Sequence, residues 1–226
     1  MKIQTQRILS AVAMLVSAAG SYGQGPANLA PQFTHPKEIT NPYLPLASLK
    51  QRVLESTEKG KPLPIERILK PGSKIFSISG QLVEALIVED REMVNGELAE
   101  LTLDYFAQDD EGTVYHLGED VDQYKDGKVV GHEGAWLFGR DTQELAIVMP
   151  GHPRVGQKFR SESVPGGAQE NVVVLSISEK IRVPAGKFKH CLKVRETNSH
   201  GETEYKIYAP GVGAVREEDA TLKSHR

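Results

Sequence analysis

Residues 82–106 of this 226-residue chain, LVEALIVEDREMVNGELAELTLDYF, decide its fold class. Asn95-Gly96 is the favoured pair for a two-residue type I′ turn, which joins antiparallel strands. On both sides of this pair, apolar and polar residues alternate with the period of two that is typical of β-strands. The stretch therefore predicts a β-hairpin whose strands run over 82–94 and 97–107.

A two-residue loop also fixes which residues of this hairpin face each other. Counting outward from the turn pairs Val88 with Leu103 and Leu86 with Tyr105. Successive side chains of a strand point to opposite faces, so Leu86, Val88, Leu101 and Leu103 share one face. We expect that face to be buried and the opposite, more polar face to be solvated.

A second hairpin is predicted from YKDGKV (124–129), in which Asp126-Gly127 is again a two-residue turn. The same counting places Asp120 directly opposite Glu133.

Turn signals recur every 8 to 14 residues along the rest of the chain, and β-α-β alternation is absent from it. This spacing is typical of antiparallel sandwiches, barrels and large curved sheets. We predict an all-β domain of ten to twelve strands, in which a large twisted antiparallel sheet, or meander, closes partly into a barrel or sandwich. The later strands are expected at 157–164, 171–183, 187–197, 202–209 and 213–218.

Residues 47–60 fit two alternatives. Leu46, Leu49 and Val53 have helical spacing. A strand that ends in a Lys-Gly hairpin turn fits the same residues.

The first 23 residues match the pattern of a cleavable secretory signal peptide. A basic start is followed by the apolar run 8–19, which is short for a membrane span. Ser21 and Gly23 are the small residues that signal peptidase requires, so we expect cleavage before Gln24. No cysteine lies near this position, which excludes lipid attachment there. The prediction is a secreted or periplasmic protein.

We divide the chain into a signal peptide (1–23), an extended proline-rich lead-in (24–46), a single all-β domain (47–220) and a C-terminal tail (221–226). The signal peptide carries two bases and no acid, so its removal takes the net charge from −3 to about −5. The sequence has no basic stripe that would indicate nucleic acid binding, and after cleavage no apolar run has transmembrane length.

Residues 104–139, DYFAQDDEGTVYHLGEDVDQYKDGKVVGHEGAWLFG, resemble a pattern in a family of exported bacterial proteins. Further matches follow in the same order at NPYLPL (41–46), REMVNGELAE (91–100), MPGHPRVGQKFR (149–160), VPAGKFKHCLKV (183–194) and EYKIYAPGVGAVRE (204–217). The family is uncharacterised, so the resemblance implies β structure, including residues 47–60, and no catalytic residues.

Acidic residues are concentrated in 104–133, where a hard cation would find several oxygen ligands. Asp120 and Glu133 are predicted to face each other, and two like charges repel unless a cation lies between them. With Asp122, they are the candidate ligands of a Ca²⁺ ion. The alternative is that these acids belong to turns and a solvated rim.

The seven histidines form no recognised metal-binding motif. His116 and His132 fall in the same predicted sheet region as Glu119. A zinc site built from them would require two strand registers to be correct at once.

Aromatic residues give a separate indication of binding. DDEG (109–112) predicts a turn between the two hairpins, and a four-residue turn would place Phe106 opposite Tyr115, on the face away from the expected core. Trp136 lies on the third well-defined strand. Apolar residues on both faces indicate either a second layer of core or a ligand pocket. Phe106, Tyr115 and Trp136 are therefore candidate contacts for a small apolar ligand.

Cys191 is the only cysteine, which excludes an internal disulfide. It is compatible with a reactive thiol or with a small packed side chain. Because the sequence around it offers nothing that would lower the thiol pKa, we expect it to be packed and unreactive.

The chain carries no complete catalytic motif, phosphate loop or dinucleotide-binding fingerprint. We therefore assign no catalytic residue, expect no cofactor other than Ca²⁺, and predict a non-enzymatic binding or envelope-associated β-domain. Its partner would be a small apolar ligand or an envelope component. The alternatives are a carboxylate-dependent hydrolase of extracellular polymers and a Ca²⁺-binding structural protein.

Overall fold

The computed structural model describes residues 30–226, apart from the side chain of Glu58. The predicted signal peptide, its cleavage site before Gln24 and the start of the lead-in lie outside the described residues. Across the described part of the chain, no helix has the length and apolar character needed to cross a membrane. Leu46–Ser48 forms a turn of 3-10 helix.

The described residues form fourteen strands. The first seven are β1 (Gln51–Glu58), β2 (Lys61–Ile78), β3 (Gln81–Val94), β4 (Glu97–Gln108), β5 (Val114–Lys125), β6 (Lys128–Gly131) and β7 (Trp136–Leu137). The other seven are β8 (Ala146–Met149), β9 (Lys158–Ser163), β10 (Gln169–Val183), β11 (Gly186–Asn198), β12 (Thr203–Ala209), β13 (Gly213–Glu217) and β14 (Ala220–His225).

These strands form a single antiparallel sheet in the order β6-β5-β4-β3-β2-β1-β14-β13-β12-β11-β10-β9, and the short strands β7 and β8 also pair with β5. Consecutive strands pair with each other from β1 to β6 and from β9 to β14, and the two series are joined where β1 pairs with β14. The predicted all-β fold with one large antiparallel sheet is confirmed.

The two ends of the sheet approach each other through side chains and not through a hydrogen-bonded ladder. The Thr142 hydroxyl donates a 2.6 Å hydrogen bond to the carbonyl oxygen of Ser163, whose own hydroxyl donates to Glu144 at 2.6 Å. Arg160 on β9 also lies 3.0 Å from Glu144. The sheet is therefore curled but not closed.

The strand alternative for residues 47–60 is the one observed, as β1. Lys59 and Gly60 have positive φ angles of 50° and 79° and form the hairpin turn into β2. At the other end of the chain, the segment predicted to be a tail forms most of β14, which pairs with both β1 and β13.

The predicted turn of the central hairpin is also observed. Asn95 and Gly96 have φ angles of 54° and 84° and join β3 to β4. Beyond the first two residue pairs, however, the register shifts by one, because Ala99 forms a β-bulge that adds a residue to β4.

The bulge makes the predicted faces of β4 wrong. Val88 faces Asp104 instead of Leu103, and Leu86 faces Phe106. Leu86 and Val88 are buried as expected, but Leu103, like Leu101, is half-buried and points to the opposite face.

In the second hairpin, too, the predicted turn is observed but the predicted register is not. Asp126 and Gly127 form the predicted turn, but a register shift follows two pairs later and β6 ends at Gly131. The predicted pairing of Asp120 with Glu133 is therefore wrong.

The turn between β4 and β5 covers 109–113, one residue more than expected. Phe106 therefore faces His116, and Ala107 faces Tyr115. Phe106 and Tyr115 lie on opposite faces of the sheet, so their predicted pairing is wrong.

One face of the sheet is concave. Arg67 on β2 contacts Glu217 on β13, although β1 and β14 lie between these strands. The apolar half of this concave face contains Leu86, Val88, Val172, Val174, Leu192, Val194 and Tyr208. Two further apolar clusters complete the core, one around Leu54 and Cys191 and one, on the convex face, around Tyr105 and Leu117.

The lead-in covers the apolar half of the concave face. Ile39 is fully buried, and Leu44, Leu46 and Leu49 pack into the same cluster. The Asn41 side-chain amide donates to the carbonyl oxygens of residues 112 and 150, at 2.9 and 3.1 Å. From residue 30 onward, the lead-in thus folds together with the sheet.

Candidate functional site

The rest of the concave face, called the polar half below, is built from ionisable side chains. Arg67 Nε lies 2.8 Å from Asp90, and its two terminal nitrogens donate to the Glu217 carboxylate at 2.5 and 2.9 Å. All three side chains are more than three-quarters buried.

Burial and neighbouring charges shift the pKa values of the two carboxylates in opposite directions. Burial raises the pKa of Glu217, but Arg67 and Lys206 outweigh it and bring this pKa to about 2. Burial raises the pKa of Asp90 to about 7, because Arg67 offsets only part of the burial effect. The Arg67 guanidinium is thus shared between both carboxylates.

A second ion pair continues the polar half across β11 and β12. Lys206 Nζ lies 2.6 Å from the buried carboxylate of Glu196. Next to them, burial raises the pKa of Glu204 to about 7, and the neighbouring carboxylate of Glu218 adds to this effect.

His116 on β5 occupies the part of the polar half where two aromatic rings meet. Its imidazole stacks on Phe106 at a centroid distance of 4.9 Å and an interplanar angle of 23°. Trp136 contacts it edge-on at 5.1 Å and 77°. His116 is 8% exposed and Trp136 2% exposed, so both rings are held within the protein.

Two carboxylates complete this arrangement, which we call the His116 centre. Asp104 on β4 faces Glu119 on β5, and Asp104 Oδ1 lies 3.1 Å from His116 Nε2. One ligand atom from each of these three residues lies within 4.8 Å of the other two. Among the described residues, this is the group of side chains with the composition and spacing of a metal site.

The carboxylates determine the charge of the imidazole. Burial lowers the pKa of His116, but Asp104 outweighs it, with smaller contributions from Glu119 and Glu162, and the pKa is about 9. The His116 centre therefore favours a positive charge at the imidazole position.

Two nitrogens at the centre are buried without a hydrogen-bond partner among the described residues. They are Nε2 of His116, whose 3.1 Å approach to Asp104 lacks hydrogen-bond geometry, and Nε1 of Trp136. Buried polar atoms are nearly always satisfied by protein, water or ligand. The centre thus has capacity for a further polar contact.

Gly118 explains how the centre is assembled. His116 and Glu119 are three residues apart, which would place them on opposite faces of a regular strand. A register shift between them, with Gly118 at a φ of +123°, brings both to the concave face. A Cβ at this glycine would lie 2.7 Å from Leu137 Cα, so glycine also allows β7 to carry Trp136 close to β5.

Asp120, a predicted Ca²⁺ ligand, lies on the convex face. Its carboxylate accepts hydrogen bonds from the Tyr105 hydroxyl at 2.6 Å and from Lys74 at 2.9 Å. Burial raises its pKa, but these two donors outweigh that effect and the pKa is lowered.

The other two predicted Ca²⁺ ligands are not brought together with Asp120. Asp122 lies 2.9 Å from His132, a largely exposed histidine, and Glu133 is exposed. The His116 centre contains none of the three predicted metal ligands.

The predicted aromatic site is partly assembled. Phe106 and Trp136 both contact His116. Tyr115 lies on the convex face, where its ring packs against Phe33 at 5.7 Å and its hydroxyl donates to Asp109 at 2.9 Å.

Cys191 is fully buried in the apolar cluster around Leu54, so its predicted packing is confirmed. Burial also raises the pKa of its thiol.

A shallow surface cleft of about 360 Å³ lies where the lead-in crosses the sheet, beside Tyr43, His152 and Arg154. His152 and Arg154 are exposed, so this cleft does not enclose a ligand.

No protein-family model matches this chain, and no curated protein or solved structure matches it. The family resemblance of residues 104–139 therefore stays a prediction, and the function rests on the geometry of the site.

Proposed function

We propose that this protein is an exported, non-enzymatic binding protein whose ligand site is the His116 centre. The observation that carries the proposal is the pair of buried, unpartnered nitrogens, His116 Nε2 and Trp136 Nε1. A buried polar group without a partner costs about 1–3 kcal/mol, so a ligand that satisfies it recovers that free energy.

The surroundings favour a ligand with a cationic group and a hydrogen-bond acceptor over the wholly apolar one expected from the aromatic residues, because the indole N–H of Trp136 can only donate. Asp104 and Glu119 supply negative charge, and an aromatic face attracts a cation. Phe106 supplies a flat wall beside the imidazole.

Location in the envelope or outside the cell is part of the proposal. It is supported by the basic, apolar and small-residue order of residues 1–23 and by the resemblance to exported bacterial proteins.

Hydrolysis of extracellular polymers by Asp104 and Glu119 is less well supported. A polymer requires an open groove along its length, whereas both residues lie beside a histidine that is 8% exposed. The geometry fits a small ligand better.

The proposal is tested on protein purified from its native host. Native mass spectrometry should show a bound small species that is released on denaturation. The variant His116→Asn should lose this species. The control variant His132→Asn, which changes an exposed histidine, should keep it. Retention of the species by His116→Asn, or its absence from the native protein, would refute the site.

A further inference from the structure

We propose that Asp104, His116 and Glu119 bind a divalent transition-metal ion, with Zn²⁺ as the reference ion. This inference rests on the proposed function and specifies the chemistry of its ligand.

The spacing of the three side chains fits a single ion. Their ligand atoms lie within 4.8 Å of one another, and one pair, Asp104 Oδ1 and His116 Nε2, is already 3.1 Å apart. Ligand atoms around a tetrahedral Zn²⁺ are roughly 3.4 Å apart, given bonds of about 2.0–2.2 Å. A small rotation of the Glu119 side chain would complete the set, because long carboxylate side chains adjust easily.

The buried imidazole points to a ligand independently of the carboxylates. His116 is more than nine-tenths buried, and its Nε2 carries no well-oriented hydrogen bond although it faces the cluster. A divalent ion that displaces the imidazole proton would bond to this nitrogen and to the neighbouring Asp104 oxygen together. Stacking on Phe106 and contact with Trp136 fix the ring orientation before an ion arrives.

The donor set distinguishes between classes of ion. One imidazole and two carboxylates suit Zn²⁺, and also Mn²⁺ or Fe²⁺. Ca²⁺ requires six to eight oxygen ligands in a roomy site, which two carboxylates beside stacked rings do not supply. Glu162, which faces the same imidazole, adds to the negative charge that a divalent cation would balance.

The chain contains a matched control site. Asp122 and His132 also form a carboxylate–histidine pair at 2.9 Å on β5 and the loop after β6, but they are far more exposed. Exposed pairs of this kind bind metal weakly and without a defined third ligand. Binding at the His116 centre must therefore survive the loss of His132.

Trp136 supplies a direct reporter because it is the only tryptophan in the chain. Its ring lies 5.1 Å from that of His116, so an ion bound at the centre should change the intrinsic fluorescence. Co²⁺, a paramagnetic substitute for Zn²⁺, should quench it strongly.

The experiment titrates chelator-treated protein with Zn²⁺, Mn²⁺, Co²⁺ and Ca²⁺, by calorimetry and by Trp136 fluorescence. We expect one Zn²⁺ per chain, with Co²⁺ quenching in parallel and no response to Ca²⁺. Asp104→Asn and Glu119→Gln should each weaken Zn²⁺ binding by on the order of 100-fold, and His132→Asn should leave it unchanged.

Each other outcome overturns the metal assignment. These outcomes are no binding of any transition ion by the wild-type protein, a preference for Ca²⁺, and binding that is lost in His132→Asn but kept in Glu119→Gln. Even if a variant fails to fold, the Co²⁺ titration of the wild-type protein shows whether a transition-metal ion binds near Trp136. A metal-free protein that carries an organic species in native mass spectrometry would refute this inference and leave the proposed function standing.

Discussion

The two halves of the concave face are buried by different kinds of contact: apolar packing in one half and ion pairs in the other. The apolar half is covered by the protein's own lead-in, with Ile39 fully buried against the sheet. The polar half instead holds ion pairs such as Arg67–Glu217 and the His116 centre. A buried ion network stabilises a fold less than apolar packing of the same volume. The comparison indicates that the apolar half contributes more to stability, and the proposed ligand site lies in the polar half.

The largest expected effect comes from breaking the ion network. Arg67→Met leaves Asp90 and Glu217 buried without their nearest cation, which should cost about 3–5 kcal/mol in the free energy of unfolding at neutral pH. Both carboxylates would then have raised pKa values. Their penalty is absent at low pH and grows as the pH rises, so urea denaturation in mild acid should show a smaller loss.

The matched control for this variant neutralises the whole group. A triple variant with Arg67→Met, Asp90→Asn and Glu217→Gln leaves neither carboxylate charge buried without its cation and should lose less stability than the single variant. A triple variant that is the less stable of the two would show that the ion network itself holds the sheet together.

The next largest effect should come from the apolar half. Ile39→Ala removes a fully buried side chain from the lead-in and should cost about 2–5 kcal/mol at every pH, whereas Ile39→Val should cost about 0.5–1.5 kcal/mol. Urea denaturation measures both. A loss that depends on pH would contradict the division of the face into two halves.

A smaller effect is expected at the strand position that assembles the His116 centre. Gly118→Ala places a Cβ against the backbone of β7 at a positive φ, which should cost about 2–3 kcal/mol and shift the Trp136 emission toward that of an exposed indole. Gly127→Ala is the control, since Gly127 also has a positive φ but has open space around it. It should cost about 1 kcal/mol and leave the emission unchanged.

The smallest effect concerns pH dependence within the polar half. The pKa of Glu204 is about 7 in the fold against an ordinary 4.5, because burial disfavours its charged form. Its raised pKa contributes stability that is fully present below pH 4.5 and is lost as the pH rises toward 7. Glu204→Gln should therefore be more stable by about 1 kcal/mol above pH 7 and unchanged below pH 4.5, after allowance for partial exposure. Equal stability of variant and wild type at both ends of the range would place Glu204 in solvent.

Turn residues predicted well which strands are neighbours in the sheet. Bulges, however, limited the prediction of which face of the sheet each side chain points to. Asn95-Gly96 and Asp126-Gly127 form the expected turns because few residues accept a positive φ. The extra residue at Ala99 carries no distinctive signal, and a shift of one residue exchanges the two faces of a strand. Leu103 was therefore assigned to the wrong face.

Irregular strand backbone also limited what could be predicted of the candidate site. Phe106 and Trp136 were identified by their aromatic character, and both contact His116. Glu119 was considered with His116 and His132 as a zinc site, but Asp104 was not identified as a ligand, and a regular strand would separate Glu119 from His116. Only the irregular backbone at Gly118 joins them, and that depends on packing against β7.

The pairing of β1 with β14 also determines when the chain can fold. These strands join residues separated by roughly 170 positions in the sequence, a separation typical of slow-folding β topologies. The middle of the sheet cannot form until the last strand has left the ribosome. Hairpins within either series of strands can form earlier, but the curled sheet is completed only after β14 has been made.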